Sequence, residues 1–181
     1  MIFRETAIEA VWVIEPERYD DERGFFARTW DTLEFAAQGL TGKHVQSSIS
    51  FNRRQGTLRG LHYQAPPQEE TKLVRCTAGA VFDVAVDLRP DSATYCTWVG
   101  VELSAQNRLA IYVPEGCAHG FLTLADETEI EYQMSEFYAP DASRGVRFDD
   151  AAFGIAWPEE VVVINERDRT YPDFAPGERD S

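Results

Sequence analysis

The chain has 181 residues, with 31 acidic against 17 basic side chains, a formal net charge of −14, 44% hydrophobic and 27% charged residues. This length suits a single domain, residues 1–181, that buries a core without metal or disulfide staples, and the acidity argues against nucleic-acid polymers and anionic membrane surfaces as partners, because both require spread positive charge. No apolar run approaches the length of a membrane span, the N-terminus lacks a basic-then-apolar leader, and Cys76, Cys96 and Cys117 follow no metal-site spacing, so a cytoplasmic protein with reduced, packing cysteines is expected.

Residues 8–14, Ile-Glu-Ala-Val-Trp-Val-Ile, predict a first strand that ends at Glu15-Pro16. Tyr19 to Gly24 reads as a polar turn, and Phe25 to Trp30 as a return to extended chain. One short helix follows, with Asp31 as its cap, Glu34 in the reciprocal capping position, Leu33, Phe35 and Ala36 to bury, and Gly39 to stop it. Val45 to Phe51 predicts a strand with Gln46, Ser48 and Ser50 on one face. From Lys72 onward, short strands alternate with turn signals. Val81 to Leu88 sets Phe82, Val84 and Val86 opposite Asp83 and Asp87. Val99 to Leu103 and Leu109 to Val113 each have a buried face. Ala118 to Leu124 places His119, Phe121 and Thr123 together, and Ile130, Tyr132 and Met134 share a face that is expected to point inward. After Tyr138-Ala-Pro140 the pattern loosens into a Pro/Gly/Asp-rich tail with one apolar strand expected at Val161 to Ile164. Many short strands and almost no helix predict an all-β jelly-roll sandwich or barrel, with one short N-terminal helix and a loop-rich C-terminal tail.

The densest chemistry lies in Gly56-Thr-Leu-Arg-Gly-Leu-His-Tyr-Gln64 and the following Lys72-Leu-Val-Arg75. Strict alternation puts His62 on one side of its strand with Leu58, Gly60 and Gln64, and Arg59 on the other. Between Phe35 and Gln68 there is no Asp or Glu, while Lys43, Arg53, Arg54 and Arg59 all fall there. In so acidic a chain, that local reversal of sign suggests a pocket for an anionic small molecule. The same residues also fit a half-buried histidine beside a solvated basic loop. His62, Lys72, His119 and Tyr132, each set in a strand-like run, together favour a site over a core, because a packed strand rarely buries an unpaired ammonium. Pro114-Glu-Gly-Cys-Ala-His119 has the form of a metal-cupin motif, and Glu69 or Glu70 can supply a carboxylate. The paired His-x-His of such sites is missing, however, so no metal is expected.

Asp21-Glu-Arg-Gly-Phe-Phe26, Gly56 to Gln64, Lys72 to Arg75, Phe82 to Arg89, Pro114 to Phe121, Tyr138-Ala-Pro140 and Glu166-Arg-Asp-Arg169 occur in that order. With them the chain closely resembles the dTDP-4-dehydrorhamnose 3,5-epimerases, cupin-fold enzymes of nucleotide-sugar biosynthesis. The resemblance implies a cupin-type jelly roll, a homodimer with exchanged N-terminal strands, a nucleotide-sugar substrate, and no metal or organic cofactor. It also implies His62 as the base, Asp168 as the carboxylate that orients it, Tyr132 as the acid on the opposite face and Lys72 as the stabiliser of the enolate oxygen. Arg23, Arg59, His119 and Arg167 match positions that hold the diphosphate or sugar, and Gln46, Ser48 and Tyr138 those near the nucleoside. Arg28 stands where Glu is frequent in the family and Ser48 where Asn is, so nucleotide and sugar stay open. Epimerisation at one centre, a ketoisomerase, a metal-dependent cupin oxygenase and a non-catalytic binding module remain as alternatives.

Overall fold

The computed structural model describes residues 1–176. Its strands are β1 (Ile2–Glu5), β2 (Trp12–Glu15), β3 (Arg18–Asp21), β4 (Gly24–Ala27), β5 (Gln46–Asn52), β6 (Leu58–Gln64), β7 (Lys72–Ala78), β8 (Ala80–Asp87), β9 (Trp98–Ser104), β10 (Ala110–Val113), β11 (Cys117–Thr123), β12 (Thr128–Met134) and β13 (Ser143–Gly145), with helices α1 (Thr32–Ala37) and α2 (Glu166–Arg169). Two antiparallel sheets pack face to face, one of six strands in the order β1-β2-β10-β7-β12-β5 and one of five in the order β13-β6-β11-β8-β9. The fold is the expected cupin-type jelly roll. β3 and β4 form a separate two-stranded hairpin.

The core between the sheets takes alternate residues from both. Val74, Ile111, Val113 and Ile130 come from the larger sheet, and Val81, Ala85, Leu103 and Phe121 from the smaller. Each sheet is covered outside as well. Phe35 of α1 packs on the larger sheet against Phe3 and Tyr112, with ring centroids 5.4 and 6.0 Å apart. The C-terminal segment lays Val146, Phe153, Trp157 and Phe174 over Leu61, Val84 and Val86 of the smaller sheet. β8 is therefore buried on both faces, and the Asp83 and Asp87 side of its alternation points into the sandwich rather than to solvent.

The structure departs from the sequence expectations at the chain ends. Ile8 and Val11 are buried, but they belong to a turn, and the strand begins only at Trp12. The expected polar turn at Tyr19 to Gly24 supplies most of the β3–β4 hairpin, which closes near Gly24 (φ 125°). Asp31 caps α1 by accepting from the Leu33 and Glu34 N–H groups. Glu34 does not return the bond, because its carboxylate receives the Met1 amine at 2.6 Å. Leu33 is exposed and Ala36 lies outside, which leaves Phe35 as the residue that docks the helix. Val161 to Ile164 is not a strand, since Val163 makes only one isolated bridge, to Thr57.

Candidate active site

β6 is where the geometry departs most from simple alternation. His119 pairs with His62, but the next pairing is Phe121 with Arg59, so Gly60 and Leu61 together oppose Gly120. Gly60 has φ 120°, and a Cβ there would lie 2.6 Å from the Gly120 Cα. Only glycine suits that backbone and that approach. The bulge overturns the expected separation of Arg59 from His62. Arg59 pairs with Phe121, a core residue, and its Nε donates across the mouth of the sandwich to Asn52 Oδ1 of β5 at 2.7 Å.

The His62 ring is held by α2. Asn165 caps that helix by accepting from the Asp168 N–H at 2.7 Å, and Asp168 is fully buried. The Asp168 carboxylate accepts from the Gly60 N–H at 3.0 Å and from His62 Nε2 at 2.7 Å. Burial opposes the Asp168 charge, yet the hydrogen bonds from His62 and Gly60 hold its carboxyl below the usual carboxylate range. An ionised carboxylate only accepts, so Nε2 carries the proton and Nδ1 keeps its lone pair. Tyr171 packs against the His62 ring with centroids 6.4 Å apart, over a Gly145 whose Cβ would strike it, and its hydroxyl is buried without a hydrogen-bond partner among the described residues.

The opposite wall comes from the larger sheet. Tyr132 projects inward from β12, with its hydroxyl 3.4 Å from Ser50 Oγ and its ring edge-on to His119 at 6.2 Å. Burial pushes its phenol well above the usual range, only partly offset by Ser50 and Arg59, so the group stays protonated. His119 is buried and bonded through Nε2 to both oxygens of Asp83, at 2.8 and 3.0 Å. Burial raises the Asp83 carboxyl, and the charge and hydrogen bond of His119 act against that shift. Lys72 pairs with Glu70 at 2.8 Å and donates to the His62 carbonyl at 3.3 Å, again bridging the two sheets.

The remaining predicted residues lie further out. Gln46 accepts from the Tyr138 N–H at 2.5 Å, Ser48 pairs with Tyr132 in the β5–β12 ladder, and Tyr138 is exposed. Arg167 donates to Ser143 Oγ at 3.0 Å and lies 5.8 Å over the Tyr171 ring. Arg23 is not brought to the site within this chain. It sits on the β3–β4 hairpin, largely exposed, and pairs with Asp21. Arg28 lies on the surface beside Asp31 and Glu34. No group of three metal-ligating side chains occurs among the described residues. A cleft of about 530 Å³ lined by Tyr63, Leu88, Tyr95 and Phe174 lies on the other side of the smaller sheet, away from His62 and Tyr132.

The site thus sets a histidine–aspartate pair on one sheet and a protonated phenol on the other, with cations at the rim. The family model for dTDP-4-dehydrorhamnose 3,5-epimerase covers residues 5–176. The chain belongs to the dTDP-4-dehydrorhamnose 3,5-epimerase family. A relative of that name from Methanothermobacter thermautotrophicus is 45% identical over 172 residues, covering 93% of this chain and 92% of its own. The crystal structure of such an epimerase from Elizabethkingia anophelis superposes with a TM-score of 0.93 at 40% identity, over 96% of both chains. Another from Bacillus anthracis, solved with TDP and PPi bound, gives 0.91 at 38% identity over 96% of this chain and 99% of its own.

Four residues of this epimerase-family site escaped the sequence reading. Asp83 had a signal, an acid flanked on both sides by apolar residues in the middle of its strand. Asn52 continues the Gln46, Ser48, Ser50 face by two residues. Glu70 was weighed only as a metal ligand, and Tyr171 had no local signal, because it reaches His62 through the fold of the tail.

Proposed function

We propose that the protein is an isomerase that epimerises a nucleoside-diphosphate 4-keto-6-deoxyhexose, of the dTDP-4-dehydro-6-deoxy-D-glucose to dTDP-4-dehydro-L-rhamnose type. The observation that carries this is the opposition of the His62–Asp168 pair on β6 and α2 to Tyr132 on β12. A proton on a carbon beside the C4 ketone passes to His62, and the bond electrons move onto the ketone oxygen as an enolate. The Lys72 ammonium stabilises that oxyanion, which is the kind of preorganised donor that contributes most to such steps. Tyr132 then gives its proton to the opposite face of the carbon, so the centre inverts. Only protons move and nothing is oxidised or reduced, so the step requires no redox cofactor.

Arg59, His119 and Arg167 hold the diphosphate and sugar, with Gln46, Ser48 and Tyr138 around the nucleoside. Arg23 joins them only from a partner subunit. We therefore infer a homodimer that exchanges its N-terminal strands. The exposed Tyr19 and Phe26 on the detached hairpin, and Ile49 and Phe51 on the outer face of β5, support that assembly. Residues 1–181 act as one catalytic domain. Three free thiols suit a reducing cytoplasm. No described helix is long and apolar enough to cross a membrane.

Incubation with dTDP-4-keto-6-deoxyglucose in deuterated water, followed by NMR, tests the reading. Deuterium at C3 and C5 with formation of the inverted sugar is expected. Deuterium at a single carbon would make the protein a single-centre epimerase, and no exchange would contradict the assignment.

A further inference from the structure

We propose that Glu70 is a positioning residue for Lys72, its carboxylate keeping the buried ammonium charged and directing its remaining N–H to the oxyanion formed on the substrate. This rests on the enolate reading of the site given above. Lys72 is only 8% exposed, and a buried ammonium without a counter-charge is costly. An ammonium has three donors. One meets Glu70 Oε1 at 2.8 Å and a second meets the His62 carbonyl at 3.3 Å. The third meets no partner among the described residues, and the two that are used fix its direction.

Glu70 is itself held in place. The adjoining Thr71 donates its N–H to Ser135 Oγ at 2.8 Å and accepts from the Ser135 N–H at 3.1 Å, which pins the loop to the end of β12. The Glu70 side chain is only 11% exposed, so solvent screens the pair weakly. The titratable groups facing Lys72 are Glu70 on this loop, Cys117 on β11 and His62 on β6. Burial pushes the Cys117 thiol up to about 12, so it carries no charge at working pH. The residues opposite Lys72 in its own sheet, Val113 and Met134, are uncharged. Glu70 is thus the carboxylate in ion-pair contact with this ammonium.

The chain contains only two lysines, Lys43 and Lys72, which makes a direct test possible. Full-length protein labelled with carbon-13 at lysine Cε gives two signals, and a Lys43→Arg variant assigns them. In Glu70→Gln, which keeps an acceptor but removes the charge, the Lys72 signal should titrate at lower pH than in wild type. The alkaline limb of kcat should move down with it, while KM and dTDP affinity stay within about twofold. Glu70→Asp, which keeps the charge with a shorter reach, should lower kcat without moving that limb, and it carries the test if Glu70→Gln does not fold. An unchanged lysine titration in the charge-removing variant, or loss of dTDP affinity in step with kcat, overturns the proposal. If the wild type converts no nucleotide sugar while the lysine shift is seen, the enolate reading fails and the Glu70–Lys72 coupling stands.

Discussion

At the scale of single residues, the account turns on what Asp168 does for His62. The carboxylate receives two hydrogen bonds in a fully buried setting and stays ionised despite that burial. It therefore selects the tautomer in which His62 Nδ1 is free to take a proton. Asp168→Asn presents an amide in place of the anion and removes both the tautomer preference and the stabilisation of the imidazolium. We expect kcat to fall about 100-fold or more, with dTDP affinity nearly unchanged. Steady-state kinetics beside calorimetric dTDP binding checks this, and a variant within threefold of wild type would remove Asp168 from the machinery. The sign of its pH effect follows from the depressed carboxyl. Its contribution to stability is present above the ordinary carboxylate range and is lost as pH falls through the folded value.

At the scale of elements, two features are open to direct test. The first is the β6 bulge. Gly60→Ala forces a Cβ to within 2.6 Å of the Gly120 Cα and 2.8 Å of the His119 carbonyl, at a φ that side chains rarely adopt. Denaturant unfolding should show a loss of about 2–4 kcal/mol, and a neutral substitution would mean that the bulge is not held by packing. The second is the β8–β9 connection, where Asp87 is buried and receives hydrogen bonds from Arg89, Ser92 and Thr94. Burial opposes its charge, but those bonds lower the carboxyl from 3.8 to about 2. A depressed acid stabilises above its unfolded value, so about 2 kcal/mol should be present at neutral pH and disappear as pH falls from about 4 to about 2. Thermal unfolding of wild type and Asp87→Asn across that window should show the acid-sensitive increment only in wild type.

These two elements also mark the limit of what the sequence discloses. Alternation correctly placed Val99, Val101 and Leu103 in the core, Tyr132 on the inner face of β12, and His119 with Phe121, because β9 and β11 each run in unbroken register with β8, and β12 with β5. The same rule failed at β6, where one bulge reverses the side on which Arg59 emerges. It failed at Val161 to Ile164, where an apolar run meets the chain entering β6 at Val162 and Val163 through a single bridge and does not extend it into a ladder. It could not foresee that Asp83 points inward, since an alternating strand shows two faces and does not say which is wet. Asp168 came from resemblance alone. No local pattern marks a carboxylate that reaches its histidine from 106 residues away.

At the scale of the whole molecule, the catalytic arrangement is a property of the sandwich rather than of any one strand. The proposed base, His62, stands on the five-stranded sheet and the proposed acid, Tyr132, on the six-stranded sheet, with Arg59 and Lys72 each bridging from one side to the other. In the proposed mechanism inversion follows from this, because a flat enolate lying between the sheets would present one face to each. The most direct test is Tyr132→Phe, which keeps the ring and its packing but deletes the proton it can donate. With dTDP-4-keto-6-deoxyglucose in deuterated water, His62 should still abstract and return a proton on the original face. Deuterium should then enter with retained configuration, while conversion to the inverted sugar falls far more steeply than exchange. If exchange and inversion decline together, or neither declines, the two sheets do not supply opposing acid and base.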